Sequence, residues 1–268
     1  DAIRTLRGDE FNSPVLSWVV KNRTPVDGIY SFRRSLAERR ISRRDYRSAW
    51  SEWAVNDKIT ALDFVARLGV DVPAVYLKEG TIDQVAAQDL RGKVLKPSSD
   101  AGSRGVYLLF SPERVHSLTS KREMHADAML AELREGIAAG RIRNRFNLEQ
   151  MVLEEDGLTQ ARDLKFYCFH GVCGLVLEIV RGRKTRYCFY DREGRIVDTG
   201  RYEGATFVGD GITPEQVQLA ERASAEVPCP FSRVDFLKTA ANGSAGMVFG
   251  EFAPAPGGYE TFNDAMDV

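Results

Sequence analysis

The sequence has little of what usually announces a mechanism. It carries three histidines in 268 residues, and His116, His125 and His170 are scattered and lie outside any recognisable motif. Four cysteines in a chain of this length do not suggest a disulfide framework. Cys168, Cys173 and Cys188 lie in apolar, strand-like runs and read as small core hydrophobes in a reducing compartment. The segment from Cys168 to Cys173 offers one histidine and two thiols around a tight turn, which falls short of a zinc site. No run reaches the roughly 18 apolar residues that a membrane-spanning helix needs. The chain starts at Asp1 with no signal-like apolar stretch, and a cytoplasmic location is the default expectation. An excess of one charge is absent as well. Lys plus Arg number 37 and Asp plus Glu 38, a net charge of -1 that gives no overall pull toward nucleic acid or an anionic membrane. What is present, 43% hydrophobic and 28% charged residues, suits a globular protein with an ample core.

Along the chain, hairpins alternate with isolated helices, a pattern that predicts α+β layers with mostly antiparallel sheets. Residues 1–56 read as a helical, basic segment. Within it, Arg33, Arg34, Arg39, Arg40, Arg43, Arg44 and Arg47 face only Glu38 and Asp45. The plain reading is an amphipathic helix with solvated arginines; the sharper one is a patch for an anionic partner. Residues 57–148 and 149–268 read as two further subdomains. Asp57 opens a helix that Gly69 ends, and Thr81 or Asp83 caps a shorter one. Thr213, Pro214 and Gln216 form the start of another, with proline at the first helical position and a capping box. The run 163–180 is a hairpin turning at His170-Gly171, and 231–252 is a second one turning at Asn242-Gly243.

Three features carry chemistry. Lys96 ends a strand and precedes a loop of small residues through Gly105, an arrangement in which backbone N–H groups and a point charge can approach an anion. It is not a Walker A sequence, because no Gly-Lys-Ser/Thr with a following helix is present. Alternation along 163–169 places Asp163, Lys165 and Tyr167 on one strand face. In the second hairpin Arg233 and Asp235 share a face, and the fold about Asn242-Gly243 brings Glu251 opposite Asp235. Side chains directly opposite stand about 5 Å apart, and like charges so placed destabilise a sheet. Either Arg233 or Lys238 neutralises the pair, or a divalent cation does. Mg²⁺ takes one or two carboxylates together with substrate phosphates, so the lysine-bearing loop upstream strengthens the second reading.

The order of these pieces resembles the ATP-grasp superfamily, and within it the TupA-like ATP-grasp family associated with bacterial cell-surface polysaccharide clusters. The resemblance runs from about Asp57 to Tyr259. It rests on Asp57-Lys58, Val94-Leu95-Lys96-Pro97 with Gly102-Ser103-Arg104-Gly105, Leu148-Glu149-Gln150, Asp163-Leu164-Lys165-Phe166, Arg233-Val234-Asp235-Phe236 and Gly250-Glu251.

That resemblance implies an ATP-grasp fold, two α+β subdomains clamping ATP. It implies that Lys96 contacts the α/β-phosphates, aided by Lys58, and that Ser103, Arg104 and Gly105 close over them. Glu149, Gln150 and Val152 border the adenine, the last two through backbone groups, and Glu155 or Asp156 binds ribose. Lys165 reaches the terminal phosphate and Arg233 joins it as a catalytic residue, while Asp235 and Glu251 hold Mg²⁺. Many ATP-grasp enzymes end this site with Glu-x-Asn; here the third position is Ala253. The implied activity is an ATP-dependent carboxylate–amine ligase using an acylphosphate, with a small-molecule or polymer-linked acid and an amine as its partners. A kinase acting on a sugar or other hydroxyl and a nucleotide-regulated binding protein are the alternatives.

Overall fold

The computed structural model describes residues 39, 41, 51–98, 105–154, 156, 159–182, 184–227, 229–239 and 245–254, the side chains of 51 and 52 excepted. The chain divides into two compact units. One takes in Val65–Arg162 and Leu237–Gly250; the other takes in Asp163–Phe236, the chain from Glu251, and the residues up to Phe64.

The helix α1 (Ser51–Ala54) is followed by α2 (Lys58–Arg67), whose first turn is closed by Asp57. Its Oδ1 accepts from the backbone N–H and the hydroxyl of Thr60, both at 2.9 Å, the usual work of an N-cap carboxylate. Ala61, Leu62 and Val65 bury one side of α2, and Gly69 ends it at φ +71°.

A six-stranded sheet is built from β1 (Val75–Gly80), β2 (Lys93–Pro97), β3 (Tyr107–Ser111), β4 (Arg114–Ser117), β5 (Glu123–Met124) and β6 (Phe146–Gln150). Its strand order is β1-β6-β2-β3-β4-β5. Two helices accompany it, α3 (Ile82–Ala86) and α4 (Ala126–Ala138). Thr81, not Asp83, caps α3, through a reciprocal capping box with Gln84. Leu95, Leu109, Phe146 and Leu148 from the strands join Met129 and Leu133 from α4 in one buried cluster. Strands β4 and β5 were not anticipated; they are short and carry no alternating pattern long enough to read.

A five-stranded sheet follows the order β11-β10-β7-β8-β9. Its strands are β7 (Asp163–Phe169), β8 (Val172–Val180), β9 (Arg186–Tyr190), β10 (Phe231–Lys238) and β11 (Met247–Ala253). The β7–β8 turn lies at His170-Gly171, where φ is +48° and +81°, the left-handed backbone of a tight two-residue hairpin. Helix α5 (Pro214–Ala225) carries the expected Thr213–Gln216 capping box and Pro214. It packs on β7 and β8 through its buried apolar side. Every strand pair whose register is described, in both sheets, is antiparallel.

Cys168, Cys173 and Cys188 are buried free thiols, as their apolar surroundings suggested, and Cys229 is half-buried. No described group of three or more metal-ligating side chains includes them. Among the described residues no helix is long and apolar enough to cross a membrane.

One arginine of the basic segment departs from expectation. Arg39 is buried, its Nη1 donates 3.0 Å to the Phe231 carbonyl, and its guanidinium lies 5.8 Å from the Trp53 ring centroid. This residue is buried rather than solvated, with a strand-end carbonyl and an indole face among its partners. The other arginines between 33 and 47 lie outside the described residues.

Behind the five-stranded sheet, Glu178 is fully buried and accepts a 2.6 Å hydrogen bond from Tyr190 Oη, itself approached by the Gly211 N–H at 3.4 Å. Burial and the facing Glu178 carboxylate push the Tyr190 phenol up, so the hydroxyl stays a donor. Tyr190→Phe removes a donor from a buried acceptor and is expected to cost about 1–3 kcal/mol in urea unfolding. An unchanged midpoint and slope would remove this pair from the account of the fold.

Candidate functional site

The charged residues of the five-stranded sheet meet around one carboxylate. Asp163, Lys165 and Tyr167 take one face of β7, while Leu164, Phe166 and Cys168 are buried on the other. From β10, Arg233 and Asp235 share a face. Arg233 Nε donates 2.6 Å to Asp235 Oδ1 and Nη2 donates 2.7 Å to Oδ2, a two-pronged fork. Lys165 Nζ also donates to Asp235 Oδ2. The same Arg233 Nη2 stands 3.9 Å from Glu251 Oε1 on β11.

Exposure separates the two carboxylates. The side chain of Asp235 is 6% exposed, those of Lys165 and Arg233 are 13% and 14%, and that of Glu251 is 41%. Burial alone would push the Asp235 carboxyl up. The Arg233 guanidinium and the Lys165 ammonium outweigh it and hold the group below the usual carboxylate range. The sequence suggested two carboxylates in mutual repulsion. Of the two cations the sequence offered, Arg233 neutralises Asp235 and reaches Glu251 as well, and Lys165 joins it as a second counter-charge to Asp235.

Sequence reasoning missed Arg181, whose Nε donates 2.6 Å to Asp163 Oδ2. The hairpin register was the available signal. Asp163 pairs with Ile179, which puts residue 181 one step further along the same face.

The six-stranded sheet carries a second buried ion pair. Lys96 on β2 lies opposite Asn147 on β6, and Glu149 lies opposite Val94. The lysine reaches diagonally to Glu149, Nζ to Oε2 at 2.5 Å, with Glu149 itself 2% exposed. Glu149 Oε1 is buried and has no hydrogen-bond partner among the described residues. A buried carboxylate oxygen left open beside a lysine suits a ligand N–H donor. The Gln150 N–H is already used by the Ala74 carbonyl at 2.8 Å. The Val152 carbonyl accepts from Ala161 at 3.3 Å, and the Val152 N–H has no backbone partner among the described residues.

Gly105 has φ +66° and its N–H donates 3.1 Å to Thr119 Oγ1; a Cβ there would meet Pro97 Cγ at 2.8 Å. Only glycine fits at this end of the loop. Ser103 and Arg104 lie outside the described residues, as does Glu155. Asp156 accepts from the Thr159 N–H at 2.7 Å and from its hydroxyl, closing a turn. Lys58, at the start of α2, is half-buried. Ala253 ends β11, two residues beyond Glu251.

In chemical terms, Asp235 and Glu251 are an all-oxygen donor pair of the kind a hard divalent cation takes. Lys96 and Lys165 are the compact charges that phosphates attract.

The described ion pairs carry a pH signature. Asp235→Asn leaves Lys165 and Arg233 without their shared counter-charge and is expected to cost about 3–5 kcal/mol of stability at neutral pH. The Asp235 carboxyl is lowered in the folded chain, so its contribution is fully present above the unfolded value of roughly 3.9 and is lost as pH falls through the folded one. Chemical unfolding from pH 7 down to pH 3 should therefore show the gap between wild type and Asp235→Asn narrowing. Glu251→Gln should stay within about 0.5 kcal/mol throughout. A constant gap across that range would contradict the assignment.

Comparison with known proteins identifies the family of the chain. No curated protein matches the chain. Among solved structures, the ATP-grasp ligase PsnB, complexed with its minimal precursor, aligns over 84% of this chain at 15% identity and a TM-score of 0.47. The chain spans 66% of that protein's length. The macrocyclase MdnC of Microcystis aeruginosa MRC, bound with precursor peptide MdnA, aligns over 88% of this chain and 68% of its own at 15% identity and a TM-score of 0.46. The VanG D-Ala:D-Ser ligase of Enterococcus faecalis aligns over 76% of this chain and 53% of its own, at 15% identity and a TM-score of 0.45. The TupA-like ATPgrasp family matches residues 37–268. The chain belongs to the TupA-like ATP-grasp family.

Proposed function

We propose that this protein is an ATP-dependent ligase that activates a substrate carboxylate as an acylphosphate and passes the acyl group to an amine or another nucleophile. The observation that carries the reading is the Lys165–Asp235–Arg233 network with Glu251 beside it. Buried charges in a sheet are weak contributors to stability, since apolar residues of similar volume often do as well or better. Their presence on two adjacent strands is better explained by work on a charged ligand.

In this reading Lys96 serves the inner phosphates of ATP, with Lys58 and the loop of Ser103, Arg104 and Gly105 as further phosphate contacts. Glu149 and Val152 serve the adenine, Glu149 by its open Oε1 and Val152 by its N–H. Gln150, whose N–H is engaged, contributes through its carbonyl. Glu155 or Asp156 serves the ribose. Lys165 and Arg233 face the terminal phosphate, and Asp235 and Glu251 hold Mg²⁺. Bound there, Mg²⁺ would neutralise phosphate charge and orient the terminal phosphoryl group.

The chain's own residues then have an electrostatic task. A substrate carboxylate oxygen forms a bond to the γ-phosphorus as the bond to the β-phosphate oxygen breaks, giving acylphosphate and ADP. The amine nitrogen next attacks the acyl carbon, phosphate leaves with the electron pair of the C–O bond, and the nitrogen loses its proton. Lys165 and Arg233 stabilise the charge spread over the transferred group and keep its oxygens in position. No protein nucleophile is required, which fits the scattered histidines and the buried thiols.

ADP release measured over panels of acids and amines tests this. Turnover is expected only with an acid and an amine together, with inorganic phosphate formed in equal amount to ADP. ADP formed with a hydroxyl acceptor alone, and no free phosphate, would replace the ligase reading by a kinase.

A further inference from the structure

The occupancy of Asp235 bears on how the proposed cation site fills. An ionised carboxylate offers about four lone-pair positions. Three are taken here, by Arg233 Nε, by Arg233 Nη2 and by Lys165 Nζ. Arg233 Nη2 is 2.7 Å from an oxygen of Asp235 and 3.9 Å from an oxygen of Glu251, so one cationic nitrogen is within ion-pair reach of both carboxylates. A divalent cation shared by the same two carboxylates needs that ground. It would meet a guanidinium and an ammonium in a site where Asp235 is 4% exposed and water can screen little.

We propose that Arg233 is an internal counter-ion occupying the divalent-cation position, so that Asp235 and Glu251 accept a metal only after an anionic phosphate has drawn the guanidinium away. This rests on the reading of Asp235 and Glu251 as metal ligands given above.

The chemistry of arginine makes the exchange feasible. Its planar fork matches a carboxylate and a phosphate equally well, so the two hydrogen bonds lost at Asp235 are recoverable on two phosphate oxygens. Lys165, a single point charge on the same oxygen, can follow without a preferred geometry. The guanidinium keeps a partner in both states, and in neither is a buried charge left unpaired. The consequence is order and coupling: the empty site rejects free metal, and the phosphate prepares it. By linkage, phosphate and metal tighten one another's binding. The arrangement also stabilises the sheet when no ligand is present, since Asp235 and Glu251 are never left as bare neighbours.

The test uses the full chain and Mn²⁺ as the probe, with free Mn²⁺ followed by its paramagnetic resonance signal. Without nucleotide, the wild type is expected to bind Mn²⁺ weakly, and Arg233→Met to bind it tighter by a factor within the usual coupling range of about 5–150-fold. Circular dichroism confirms that the variant is folded. Equal Mn²⁺ affinity in the two proteins would overturn the proposal. Should Arg233→Met not fold, nitrogen-15 NMR of the wild type decides instead. The Arg233 Nε–H signal should shift on adding ADP in the presence of a chelator, and should stay put with Mg²⁺ alone. A shift with Mg²⁺ alone, or none with metal-free ADP, would overturn it. Asp235→Asn separates this proposal from the reading beneath it. If that variant keeps full Mn²⁺·ADP binding, the metal-ligand reading fails. If it loses binding while Arg233→Met gains nothing, only the counter-ion role fails.

Discussion

A carboxylate buried in a sheet and held by two cations is the constraint around which the five-stranded unit is organised. Asp235 lies on β10, and one of its cations comes from the same strand while the other comes from β7, 70 residues away in sequence. An unpaired charge at this depth would cost several kcal/mol, so β7 and β10 must be neighbours with Lys165 and Asp235 on one face. The apolar alternation of β7, with Leu164, Phe166 and Cys168 buried opposite, fixes which face that is. Helix α5 packs on β7 and β8, and the hairpin at His170-Gly171 joins these two strands. Side chains on such strands are more closely positioned than side chains on loops.

The six-stranded unit uses the same device with different ends. Lys96 and Glu149 sit diagonally on neighbouring strands β2 and β6, and the glutamate is buried with one oxygen left open. In both units a lysine and a carboxylate occupy strand positions where apolar residues would satisfy stability alone. The carboxylates differ in what remains to be filled. Glu149 presents an acceptor without a donor, whereas Asp235 has three donors. In the reading proposed above, the first would take a neutral N–H once a ligand reaches it, and the second would exchange partners before it takes a cation.

Much of this was legible in the sequence because it is encoded locally. The capping boxes at Thr81 and Thr213, the glycine end of α2 and the tight β7–β8 turn each depend on residues a few positions apart. Alternation along 163–169 gave the correct faces of β7. The motif residues Lys96, Glu149, Lys165, Arg233, Asp235 and Glu251 were visible in order, and the family match, over residues 37–268, covers the stretch that holds them. What was not legible depends on distant partners. Nothing near Arg39 points to the Phe231 carbonyl that buries it, and the basic run therefore read as solvent-facing. Lys165 and Asp235 were each singled out, but their direct pairing is a product of strand order rather than of either segment. Strands β4 and β5 escaped because a few residues cannot establish a period.

The central proposal is that Asp235 and Glu251 take a divalent cation when a nucleotide is bound. A crystal structure with Mn²⁺ and a non-hydrolysable ATP analogue, with the metal located by its anomalous scattering, measures this directly. The account predicts a metal peak about 2.0–2.3 Å from a carboxylate oxygen of each residue, with the Arg233 fork withdrawn from Asp235. A metal bound only to phosphate oxygens, with that fork intact, would contradict it.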